Sequence, residues 1–259
     1  MNTEVTHPAA RAAYRQPATL RIAWLIARRQ AVEAMRTRSM VVMVGFFLAL
    51  QTVMLWVSLA PLMQGKSAST LGLASLFAEF YLLWSALMPC TLAVGVAAGV
   101  FAGDKERGAL APLLVTPASN VAIFAGKVLG SVLPALSYTL LGVILYFLEM
   151  ALFFGLDKTL VVLPFALTTL ILVLIPAIAL FGTAVASVIS SRVSTFQSAQ
   201  TYTSILLMVL WFGLAGLIFT ASLGLWIFAG AVLAVYILDI LLIWIAAATW
   251  RREEVMAKQ

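Results

Sequence analysis

Apolar residues run along this chain in long blocks separated by short polar stretches. The blocks cover 40–61, 80–102, 128–154, 160–189, 201–217 and 226–250. Each approaches the length of about 20 residues that a helix needs to cross about 30 Å of hydrocarbon. A closed barrel also satisfies its backbone in lipid, but its strands alternate apolar and polar residues. Runs such as 161–186 and 223–250 do not alternate. The pattern predicts an all-α polytopic membrane protein with six transmembrane helices, its membrane domain covering 40–250. Pro89, Pro134, Pro164 and Pro176 fall inside the predicted spans.

A different period precedes the first block. Over 19–38, Leu20, Trp24, Ala27, Ala31 and Met35 recur at helical spacing, with Arg29, Glu33 and Arg36 opposite. This predicts an amphipathic helix lying at a membrane surface, ahead of the first span. Residues 1–18 and 251–259 are polar and read as disordered or solvated tails, the first without the apolar stretch of a signal peptide. Residues 218–225 are too apolar for an exposed loop and too short to span, which predicts a re-entrant turn between spans five and six.

Composition narrows the class. The chain is 63% hydrophobic and 10% charged, with mean hydropathy +1.07, far below the roughly 25% charge of soluble domains. Cys90 is the single cysteine and His7 the single histidine. That excludes an internal disulfide, a cysteine-cluster metal site and histidine-pair chemistry within one chain. The net charge of +6 is a matter of placement. Of 16 lysines and arginines, all but Lys66 and Lys158 fall on one side of the predicted bundle. That side reads as cytoplasmic, with both termini on it, so the charge calls for no nucleic-acid partner.

The largest polar interruption is the 103–127 loop, which opens Gly103-Asp104-Lys105-Glu106-Arg107-Gly108. Leu110, Leu113, Leu114 and Pro117 form a short apolar edge, with the charges expected at the start of a short helix. Two readings stand: a helix pressing this edge into a partner's groove, or a solvated loop dipping into lipid. Other polar features lie in the spans. Gly95, Gly99 and Gly103 form a stripe permitting close helix packing or sliding. Gln200, Thr201 and Ser204 lie on the polar first turns of span five, as pathway candidates or as ordinary helix-start residues. Asp239 sits near the middle of span six, as a pathway or proton-relay residue or as a structural one. Glu79 and Glu149 lie near outer span ends, where water is expected to reach them.

The succession Lys105-Glu106-Arg107-Gly108-Ala109-Leu110, Leu113-Leu114, Thr116-Pro117 and Gly126-Lys127 resembles the first cytoplasmic loop of ABC type 2 permeases. The likeness extends to the layout of amphipathic helix, six spans and re-entrant element. One residue, Arg107, separates Glu106 from Gly108 where that family often has two, and Ala109 stands where threonine is common. The resemblance implies a non-enzymatic permease subunit of a bacterial inner-membrane exporter. Its 103–127 loop would carry a coupling helix, with Glu106, Arg107, Gly108, Leu110, Leu113, Leu114 and Pro117 meeting a separate ATPase subunit. ATP and magnesium would reside on that ATPase, and this chain would pair with a second copy or a related permease. The chain has no phosphate-binding loop of its own, since Val128 follows Gly126-Lys127. The alternative is an ion-coupled secondary transporter using Asp239 or Glu149, although no inverted repeats are visible. A membrane anchor for an ATPase is a further reading. An intramembrane Ser/Lys enzyme is not supported, because Lys66, Lys105, Lys127 and Lys158 fall at or beyond span ends.

Overall fold

The computed structural model describes residues 19–65, 67–108 and 119–249. Leu110, Leu113, Leu114 and Pro117 and the two terminal tails lie outside the described residues. Every element among those described is a helix: α1 (Thr19–Arg36), α2 (Arg38–Gln64), α3 (Ala68–Glu106), α4 (Asn120–Phe154), α5 (Leu156–Val162), α6 (Phe165–Arg192), α7 (Phe196–Leu223) and α8 (Leu225–Thr249). Four stretches among the described residues are long and apolar enough to cross a membrane: Arg38–Gln64, Val121–Phe154, Phe165–Arg192 and Leu225–Ile245. Large apolar side chains such as Phe46, Trp226, Ile240 and Trp244 are exposed on the outside of the bundle. An apolar exterior of this extent suits lipid, and the chain is a multi-pass helical membrane protein.

Helix α3 is the axis of the bundle, packing against α2, α4, α6 and α7. It has 39 residues, about 58 Å at the usual helical rise, and so outruns the 80–102 block at both ends. Ser67 caps it, its hydroxyl accepting from Thr70 N at 3.3 Å. The main core joins Leu55 and Leu59 of α2, Leu82 of α3, Tyr146 and Met150 of α4, Leu174 of α6 and Phe228 of α8. A second core at the charged end stacks Phe101 on Phe124, with ring centroids 5.6 Å apart.

Two expected elements differ from the sequence expectation. The 160–189 block is two helices, because Leu163 is extended (φ −108°, ψ 92°) ahead of Pro164, which disfavours helix in the residue before it. The expected re-entrant turn over 218–225 is absent: α7 continues through Leu223, since nothing in its last turns breaks a helix until Gly224. Gly224 alone, at φ 143°, a conformation that favours glycine, separates α7 from α8.

Helix α1 also departs from a purely interfacial role. Its buried face is Ala23, Ala27, Ala31 and Ala34, and that face lies on α4, whereas Leu20 and Trp24 are exposed. Gly126 and Gly130 of α4 explain the closeness. A Cβ at Gly126 would sit 2.7 Å from the Ala23 carbonyl oxygen, and one at Gly130 would sit 3.1 Å from that of Ala27. Gln30 fixes the register by donating to Ser131 Oγ at 3.1 Å and to the Lys127 carbonyl at 3.3 Å.

Candidate functional site

The 103–108 segment is the C-terminal turn of α3 and its exit, not the start of a new helix. The helix keeps its last turn because each of three successive charged residues finds a partner on another element. Asp104 forms an ion pair with Lys127 at the beginning of α4. Lys127 is buried, also donates to the Val100 carbonyl at 2.7 Å, and lies 4.9 Å from the centroid of the Phe101 ring. A buried ammonium requires such compensation, since desolvation alone costs several kcal/mol. Lys105 donates to the carbonyls of Ser191 at 2.8 Å and Val193 at 3.0 Å, placing a cation on the C-terminus of α6. Glu106 accepts the backbone N–H of Phe196 at 2.9 Å, placing an anion on the N-terminus of α7. One turn of α3 therefore ties together α4, α6 and α7.

The chain then leaves α3 through an exposed Arg107 and Gly108. Gly108 donates to the Lys105 carbonyl at 3.1 Å and has φ 65°, the left-handed conformation that ends many helices and is open to glycine without strain. Segment 109–118 starts here, and Ser119 caps α4 on the far side, its Oγ accepting from Ala122 N at 3.1 Å.

Beside this turn lies a cavity of about 770 Å³ between α1, α2, α3, α4 and α7. Gly95, Gly99 and Gly103 line its α3 side, and Gln200, Thr203 and Ser204 its α7 side. Gln200 and Ser204 thus share a cavity with the glycine stripe, but Thr201 does not line it. Thr203 is the third α7 residue on the lining, one turn beyond Gln200. The stripe is tight only at its middle member. A Cβ on Gly99 would meet the Phe196 ring at 2.8 Å, whereas one on Gly103 would reach that ring only at 3.9 Å and one on Gly95 would meet nothing within 4 Å. At the mouth, Arg29 donates to Glu33 at 2.9 Å, and that hydrogen bond holds the exposed guanidinium above its ordinary pKa.

The membrane carboxylates lie elsewhere. Glu149 is buried rather than reached by water, because α2 covers it: Thr52 Oγ1 donates to one oxygen, and Gln51 Nε2 to the other at 3.4 Å. Glu79 is half-buried and accepts from Ser75 at 3.3 Å. Asp239 is 1% exposed on α8, and neither carboxyl oxygen has a hydrogen-bond partner among the described residues. It does not line the cavity. Among the described residues no cluster of three or more histidine, cysteine, aspartate or glutamate side chains is placed to hold a metal ion. No protein-family model matches this chain, and no curated protein does.

Proposed function

We propose that this chain is the permease subunit of an ABC exporter, using segment 103–127 to receive movement from a separate ATPase. The observation that carries this reading is the triple attachment of Asp104, Lys105 and Glu106 to α4, α6 and α7. A displacement of the apolar-edged segment 109–118 pulls on α3 at one end and α4 at the other. Through Lys105 and Glu106 it also pulls on the α6–α7 turn. A small docking element thereby moves several long helices together, as rigid-body switching needs.

In this reading α3 and α7 complete six crossings. The end that gathers Arg29, Arg107, Lys127 and Arg192 faces the cytoplasm of a bacterial inner membrane. Two permease chains, identical or related, form the pathway, and ATP and magnesium bind on the ATPase subunits.

A second reading is favoured by Asp239, a buried carboxyl without a partner among the described residues. Intramembrane carboxyls of that kind serve ion-coupled carriers. Reconstituted flux separates the two. Transport that requires ATP and survives Asp239→Asn supports the exporter. Transport driven by an ion gradient without ATP, and lost in Asp239→Asn, supports the carrier.

A further inference from the structure

Helix α1 meets the rest of the chain on its alanine face, which packs on α4. On the far side Arg21, Trp24 and Arg28 are exposed, with Leu25 beside them. Residues at i, i+3 and i+7 fall on one side of a helix, so the tryptophan stands between two arginines about 10 Å apart along the axis. Neither arginine forms an ion pair among the described residues. Arg28 and Arg29 are adjacent in sequence but have different surroundings. Arg29 lines the cavity and pairs there with Glu33, the only acid of α1, whereas Arg28 does not line it.

The register of α1 on α4 sets the depth of the outer face. Ala23 opposes Gly126, Ala27 opposes Gly130, and Tyr138 donates to the Met35 carbonyl at 3.4 Å. One offset fits all three contacts, so α1 runs alongside the first turns of α4 in the same direction. The apolar stretch of α4 has 34 residues, about 51 Å, and outruns about 30 Å of hydrocarbon. The buried ion pair of Lys127 with Asp104 marks its polar end. Arg21, Trp24 and Arg28 stand beside that end, at the level of lipid headgroups, where tryptophan and arginine are suited to lie.

From this we infer that the Arg21–Trp24–Arg28 face binds anionic phospholipid. An ordinary interfacial helix holds to a bilayer by burying a broad apolar face, with charge as an addition. In this chain α4 occupies the alanine face, so attachment to lipid depends on Trp24, Leu25 and the two arginines. Charge therefore carries the larger share. A phosphodiester without an amine of its own is the head that two guanidiniums recognise, through forked N–H donors. The close contact with Gly126 and Gly130 holds the arginines in place beforehand, which limits the ordering that binding requires. The inference does not rest on the exporter reading, and its test uses this chain alone.

Two probes carry the same diazirine on the acyl chain close to the glycerol, one with a phosphatidylglycerol head and one with a phosphatidylcholine head. Each is added in trace amount to the purified full chain in phosphatidylcholine nanodiscs, and labelled peptides are located by mass spectrometry. Labelling within 19–38 should favour phosphatidylglycerol by about fivefold or more, and the preference should shrink as salt is raised. Arg21→Gln and Arg28→Gln should each lower the preference about threefold to fivefold, and together should nearly remove it. Arg21→Lys with Arg28→Lys should retain most of it. Trp24→Ala should weaken labelling by both probes and leave their ratio unchanged. Arg29→Gln removes the same charge from the cavity side and should also leave the ratio unchanged. Equal labelling by the two probes, or a ratio that Arg29→Gln lowers as far as Arg28→Gln does, would overturn the inference. So would a preference unchanged in the double glutamine variant. Loss of a co-isolated protein from that variant would then assign the face to a protein partner.

Discussion

The carboxylate of Glu106, on the last turn of α3, accepts the first backbone N–H of α7 at Phe196, 2.9 Å away. The two residues are 90 positions apart, yet they join the exit of one long helix to the entrance of another. Capping interactions of this kind contribute about 1 kcal/mol. Glu106→Ala should fray the first turn of α7, seen as faster amide exchange over 196–200 with the core of α4 unchanged. Glu106→Gln keeps an acceptor oxygen and should show a smaller effect.

The Asp104–Lys127 pair should be asymmetric. Lys127 is 3% exposed at its side chain and Asp104 is 37% exposed. Asp104→Asn leaves a buried ammonium without its counter-charge and should cost about 3 kcal/mol. Lys127→Met removes the buried charge and leaves a carboxylate that reaches water, so it should cost less, about 1 kcal/mol. Thermal unfolding of both variants in the same detergent would settle the order, and equal losses would mean that the pair is not buried as described.

Helix α1 should depend on Gly126. A Cβ there meets backbone of α1, the Ala23 carbonyl at 2.7 Å and the Ala23 Cα at 3.1 Å, and neither can rotate away. Gly126→Ala should therefore lift α1 from α4 at a cost of about 1–3 kcal/mol. Limited proteolysis at Arg28 and Arg29 reads the change, and wild-type cleavage kinetics in the variant would contradict the packing. Gly45→Ala, which meets nothing within 4 Å, is the control.

Helical membrane architecture was legible from block length and composition, because lipid forces each backbone group to be satisfied within its own helix. Two boundaries follow from a local backbone rule but were read only from the structure: Gly108 ends α3, where the sequence reading placed the start of a short helix, and Pro164 divides 160–189. What could not be read was partnership across distance. Nothing local to Lys105 shows that its ammonium reaches Ser191 and Val193, or that Glu149 lies under Thr52. The α1 face was legible in part. Ala27 and Ala31 of the expected apolar face are buried, but Leu20 and Trp24 are not, because the small alanines can approach Gly126 and Gly130 and bring Ala23 and Ala34 in with them. Helical spacing places either Thr201 or Thr203 on one face with Gln200 and Ser204, so only the packing of α7 on α3 shows that Thr203 lines the cavity.

Changes at the exit of α3 should separate ATP hydrolysis from transport without unfolding the bundle. Gly108→Val places a branched side chain at φ 65°, a strain of about 1–2 kcal/mol that should redirect the chain into segment 109–118. Arg107→Glu reverses an exposed charge and should leave stability nearly unchanged. Both should lower transport per ATP hydrolysed in vesicles containing the assembled exporter. Unchanged coupling in both would move the contact with the ATPase to another surface.

The most direct measurement is gentle isolation of the chain from its own membranes into nanodiscs, with mass spectrometry of the intact assembly. The exporter account predicts a stoichiometric ABC-type ATPase that remains bound to the wild-type chain and is lost from a Leu113→Asp, Leu114→Asp variant that still inserts and folds. A wild-type chain that isolates without an ATPase and moves solutes or ions in vesicles without ATP would contradict it.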